Sequence, residues 1–168
     1  MVTANVMGNK IGKEQLSKLQ EMMQAHPTLV SLCGIADDAT EANLSGFGMD
    51  AADAVVLADE LPTKGALASM NILSNNIGAE QAHELIKLME SKPNLKTLCG
   101  FSGDETKIDL RNSELSAGCA VLVANELENH ARVVQLNIGA NPFQGAEAGP
   151  NGESKAPIRK TASEDQIN

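Results

Sequence analysis

Short stretches of the chain alternate apolar and polar residues, and each is followed by a change of period. In Leu67-x-x-Met70-x-Ile72-x-x-Asn75-x-Ile77 the apolar residues stand at positions 1, 4, 6 and 11 of a unit, with Asn at position 9. The same spacing recurs in Met1-x-x-Ala4-x-Val6-x-x-Asn9-x-Ile11 and in Val133-x-x-Leu136-x-Ile138-x-x-Asn141-x-Phe143. A period of two predicts a strand at the start of each unit. Helical spacing follows it. Leu16, Leu19, Met22 and Met23 share one face of a helix predicted over 13–25, and Leu85, Leu88 and Met89 do the same over 79–91. Ala54, Val55, Leu57, Ala58 and Leu61 predict a helix over 51–61, and Ala120, Val121, Val123, Ala124 and Leu127 one over 117–128. Asp50 and Ser116 are the expected N-caps, while Pro27 and Pro93 stand where the first helix of each copy must stop.

The pattern is duplicated. Residues 5–70 align with 71–136 without a gap, with 22 identities in 66 positions. Pro27-x-Leu29 falls on Pro93-x-Leu95, Leu32-Cys33-Gly34 on Leu98-Cys99-Gly100, and Glu60-Leu61 on Glu126-Leu127. Each copy divides again through Ala42-x-Leu44 with Met49, and Ile108-x-Leu110 with Leu115. Phe47 and Ser113 take the Asn position there. Units begin near residues 1, 39, 67, 105 and 133, so the steps alternate between 38 and 28 residues. The longer steps carry about ten extra residues around Leu29–Asp38 and Leu95–Asp104. Leu29-x-x-Leu32-Cys33 could itself be a strand. The favoured strands are Thr40–Leu44 and Thr106–Leu110, with Gly34–Asp38 and Gly100–Asp104 as loops.

The L-x-x-L-x-L-x-x-N-x-L spacing followed by a helix resembles the leucine-rich repeat family, in its ribonuclease-inhibitor-like class. The resemblance covers residues 1–143, about five units. It implies an α/β solenoid, a horseshoe segment with a parallel sheet on the concave side and helices on the convex side. A lone βα unit cannot bury its apolar face, so stacked neighbours must share one core. In the family the Asn of the pattern bonds backbone groups in the turn after the strand, and Asn9, Asn75 and Asn141 take that role. Residues 144–168 are rich in Gly, Pro and polar residues and are expected to form a disordered tail. No polar capping unit is visible, so the chain is expected either to belong to a longer array or to self-associate through its ends.

Composition narrows the chemistry. Aromatic residues make up 2% of the chain and the net charge is −9, which argues against nucleic acid or an anionic membrane as partner. There is no apolar run of membrane-spanning length and no secretory leader in Met1–Lys10, so a reducing, cytoplasmic location is expected. Cys33 and Cys99 lack metal-ligand spacing and read as buried or rim residues, and Cys119 reads as a core or helix-face residue. His26, His83 and His130 share no repeat position and read as surface residues. Asp37, Asp38 and Glu41 read as solvated rim charge. No catalytic, cofactor-binding or metal-binding motif stands out.

One constellation points outward. Position 5 of successive units holds Asn5, Asn43, Asn71, Asp109 and Asn137. On five adjacent strands they would form a column about 19 Å long, either an amide ladder serving the sheet or a polar contact strip. Met7, Ser45, Leu73, Arg111 and Gly139 flank it on one side, and Thr3, Glu41, Ser69, Lys107 and Gln135 on the other. The expected function is a non-catalytic scaffold that binds a protein or peptide through Asn5, Asn43, Asn71, Leu73, Lys107, Asp109, Arg111, Gln135 and Asn137. The alternative is a regulator of a partner enzyme, such as a GTPase activator, in which Arg111 would be the residue to test. An enzyme in its own right would need a deep pocket with perturbed titratable groups.

Overall fold

The computed structural model describes residues 2–143. The tail expected over 144–168 lies outside the described residues. The chain is mixed α/β. In order it forms β1 (Val2–Thr3), α1 (Lys13–Ala25), β2 (Leu29–Ser31), β3 (Glu41–Asn43), α2 (Ala51–Glu60), β4 (Ser69–Asn71), α3 (Ala79–Ser91), β5 (Lys107–Asp109), α4 (Ala117–Glu128) and β6 (Gln135–Asn137). A single turn of 3-10 helix, Leu61–Thr63, extends α2. The four helices lie where the apolar spacing puts them. Asp50 caps α2 by accepting from the backbone N–H groups of Ala52 and Asp53, and the Asp53 side chain accepts from Asp50 in return. Ser116 caps α4 through Cys119 N–H.

The strands are short and pair in parallel: β1 with β2, β3 with β4, and β5 with β6. β3 and β5 occupy the favoured segments. The open alternative also holds, because Leu29–Ser31 is a strand as well. Its counterpart in the second copy, Thr97–Cys99, joins β4 through bridges from Thr97 to Ser69 and from Cys99 to Asn71. The 38-residue step is therefore a regular 28-residue step plus ten residues that bring an extra extended segment and no helix.

That interposition corrects the expected column. Asn43 and Asn71 are partners in register, as are Asp109 and Asn137, but Asn5 lies beside Cys33 and Asn71 has Cys99 on its other side. The five position-5 residues do not follow one another on adjacent strands.

One apolar cluster runs through both copies. Leu16, Leu57, Leu61, Leu67, Met70, Ile72, Ile77, Leu85 and Leu98 are almost fully buried in it. At the C-terminal end the cover thins. Leu136 and Ile138 are exposed, whereas their equivalents Met70 and Ile72 are sealed; Val134 and its equivalent Ala68 are both exposed. No helix among the described residues is long and apolar enough to cross a membrane.

Candidate functional site

The position-5 residues are built into turns. Asn5 Oδ1 accepts Met7 N–H at 3.0 Å, Asn43 Oδ1 accepts Ser45 N–H at 3.0 Å, and Asn71 Oδ1 accepts Leu73 N–H at 3.0 Å. Asp109 Oδ1 accepts Arg111 N–H at 3.2 Å, and Asn137 Oδ1 accepts Gly139 N–H at 3.1 Å. Each is an Asx-turn; Asn43, Asn71, Asp109 and Asn137 are the last residues of β3, β4, β5 and β6, and Asn5 stands two residues beyond β1. The side-chain oxygens serve the local backbone, so no amide ladder connects neighbouring units.

The strand ending also explains a correction. Leu73, placed on the contact face by extrapolating the alternation, is 4% exposed and belongs to the core. β4 stops at Asn71, the Asx-turn redirects the chain, and Ser74 adopts a positive φ of 60°. Met7 is buried for the same reason, with Cys33 Sγ 3.7 Å from its sulfur. Asn5, Asn43, Lys107, Asp109, Arg111 and Gln135 are exposed, and Asn71 and Asn137 are half-buried.

Asp109 and Arg111 form an exposed ion pair on this surface. Arg111 Nη2 lies 2.7 Å from Asp109 Oδ2, and Nε lies 3.0 Å from Oδ1. Hydrogen bonds from the guanidinium and from the Arg111 backbone hold the Asp109 carboxyl below its ordinary range. The same pairing raises the Arg111 guanidinium.

The Asn residues of the pattern take the expected turn role. Asn75 Nδ2 donates to the carbonyls of Leu44 (2.8 Å) and Ile72 (2.9 Å), while its Oδ1 accepts Met49 N–H at 2.9 Å. Asn141 repeats this with Leu110 and Ile138 carbonyls and with Ser113 and Leu115 N–H groups. Both side chains thus tie one unit's turn to the preceding one. Asn9 bonds the Val6 carbonyl at 3.0 Å.

A second set of polar groups is buried, and the sequence reading passed over it. Glu60 accepts Leu32 N–H at 2.6 Å and the Ser31 hydroxyl at 2.7 Å. Glu126 accepts Leu98 N–H, Cys99 N–H at 2.8 Å and the Thr97 hydroxyl at 2.7 Å. Each carboxylate satisfies backbone donors on the side of the extra segment that has no strand partner. The signal was available: Glu60 and Glu126 are identical between copies, each directly before a Leu that also repeats, Leu61 and Leu127. Burial, reinforced by these carboxylates, pushes the Cys33 and Cys99 thiols far up, so both stay protonated and inert.

Asp37 is not simply solvated charge. It lies 2.8 Å from Lys64 Nζ, whose side chain is fully buried and also donates to the Val30 carbonyl at 3.1 Å. In the second copy the equivalent positions hold Gly103 and His130. The His130 ring stacks edge-on against Phe101 at 5.8 Å, so His130 is partly inside rather than on the surface. His26 and His83 are exposed as expected. No family model, curated protein or solved structure matches this chain.

Proposed function

We propose that the chain is a leucine-rich repeat protein of the ribonuclease-inhibitor-like class, whose strand face binds a protein or peptide partner without catalysing a reaction on it. The observation that carries this reading is the pair of Asn residues, Asn75 and Asn141. Each ties the turn of its own unit to the turn of the unit before it. Turns locked in this way would stack successive βα units into a short solenoid. The face that this stack presents carries Glu41, Asn43, Lys107, Asp109, Arg111 and Gln135, all exposed. A polar strip of mixed charge on a preformed backbone suits recognition of a folded protein surface more than a small molecule. Arg111 is held by Asp109, so a regulator that used it on a bound nucleotide would first have to break that pair.

The test uses Lys107→Glu with Gln135→Lys. These side chains stand opposite each other in register on β5 and β6 and make no hydrogen bond among the described residues, so the exchange changes the charge pattern of the face while keeping opposite charges across the pair. The wild-type chain is expected to recover one stoichiometric protein from lysate of its source. The double variant is expected to lose it while keeping its circular dichroism. Equal recovery by both chains would overturn the assignment to this face.

A further inference from the structure

Among the described residues, strand β6 has one paired edge and one open edge. In a parallel strand, alternate residues direct their N–H and C=O to opposite sides. Gln135 N–H and the Asn137 carbonyl bond to Thr106 and Leu110 on the β5 side. Leu136 and Ile138 therefore face away from β5, and no described residue accepts their N–H groups. Beside that edge, Leu136 is 39% and Ile138 36% exposed.

The same edge occurs twice more in this chain, and there it is occupied. Ala4 and Val6, the equivalents of Leu136 and Ile138, donate to the carbonyls of Ser31 and Leu32 at 2.8 and 2.9 Å. Met70 and Ile72 donate to those of Thr97 and Leu98 at 3.0 and 2.9 Å. The occupants share a sequence: Leu29-Val30-Ser31-Leu32-Cys33-Gly34 and Leu95-Lys96-Thr97-Leu98-Cys99-Gly100. Leu32 and Leu98 drop into the core at 1% exposure. The glycines are required as well. Gly34 and Gly100 have φ of 76° and 74°, and a Cβ there would lie 3.1 Å from Asn5 Cβ and 3.0 Å from Asn71 Cβ. Asn137 holds the equivalent place on β6.

We infer that the open edge of β6 binds, in trans, an extended segment of a partner protein with the pattern Leu-x-(Ser/Thr)-Leu-x-Gly, added parallel to β6. The pattern comes from the two internal interfaces, of which this edge is the third copy. At the corresponding distance along the chain, Glu164 and Asp165 stand where Leu98 and Cys99 do, so the chain does not supply the pattern to itself at that spacing. Main-chain hydrogen bonds would give affinity, with the second Leu and the Gly giving selectivity. This site is the strand edge and not the strand face, so it stands or falls separately from the proposal above.

The experiment titrates a synthetic peptide of residues 93–104 into the full chain by calorimetry under reducing conditions. Saturable binding is expected, with none for a scrambled peptide of equal composition. A Gly100→Val peptide should bind about tenfold more weakly, since its branched side chain has neither the backbone freedom nor the space. The chain variant Leu136→Lys, folded by circular dichroism, should not bind. The inference is overturned if the native peptide binds no better than the scrambled one, or if binding ignores both substitutions. It is also overturned if sedimentation shows a dimer that Leu136→Lys dissolves, for then a second copy occupies the edge.

Discussion

Glu126 shows how much one buried side chain can organise. Its carboxylate receives two backbone N–H groups and one hydroxyl, none of which reaches water. Truncation to Ala would strand all three donors, which costs far more than the loss of the methylene contacts. The expected destabilisation is about 3 kcal/mol. Urea unfolding of Glu126→Ala against the exposed control Glu114→Ala checks it, and a difference below about 0.5 kcal/mol would refute the role. Glu105 acts on a smaller scale. Its slight burial opposes ionisation, but hydrogen bonds from the Ser102 and Gly103 backbone and the Ser102 hydroxyl outweigh it and hold the carboxyl at about 2. A carboxyl depressed in the folded state stabilises fully above its ordinary pKa and loses that contribution as pH falls through the folded value. The advantage of wild type over Glu105→Gln should thus be constant above pH 5 and shrink between about pH 4.5 and pH 2, read as thermal midpoints. Roles of this kind were only half legible. Glu60 and Glu126 match between the copies, but nothing in a linear pattern says that a carboxylate near a helix end points inward at another segment's backbone.

Helices are the most readable elements because their spacing is set by one periodicity. Leu16, Leu19 and Met23, or Leu85, Leu88 and Met89, declare a face without reference to the rest of the chain. Three-residue strands carry too little alternation to declare themselves, and β2 competed with β3 for one place that turned out to be two. Leu73 misled for a related reason: alternation was carried past the Asx-turn that ends it. At this scale Gly118 gives a prediction that opposes propensity. Ala is worth up to about 1 kcal/mol over Gly inside a helix. In α4, however, a Cβ at 118 would lie 2.4 Å from the Ile77 carbonyl oxygen and 2.7 Å from that of Gly78. Backbone cannot yield as a flexible side chain does, so Gly118→Ala should destabilise by about 2 kcal/mol. A rise in the unfolding midpoint would show that α4 can shift away from the turn before α3.

Across the whole molecule, duplication was visible from the sequence, and so was the extra length in every second step. What that length does was not visible, since it depends on which backbone edge it fills. The duplication also left an internal experiment. Copy one closes the space beside its extra segment with the buried Lys64 paired to Asp37, whose carboxylate reaches solvent, whereas copy two closes it with Phe101 and His130 over Gly103. Ile35, Asp37 and Lys64 occupy the places of Phe101, Gly103 and His130. The two sets are alternative fillings of one mould. Transplanting the triple Ile35→Phe, Asp37→Gly and Lys64→His should give a cooperatively folded chain, while Lys64→His alone should lose stability because the shorter ring would leave the Val30 carbonyl without its ammonium donor and would lack an aromatic neighbour. Guanidinium melts of the triple and single variants would check the ordering, and a triple no more stable than the single would break it. If it holds, residues can be exchanged between the halves only as complete sets: the chain's unit of inheritance at this spot is a trio spread over some thirty positions, and a library that shuffles the halves residue by residue would mostly sample mismatched combinations.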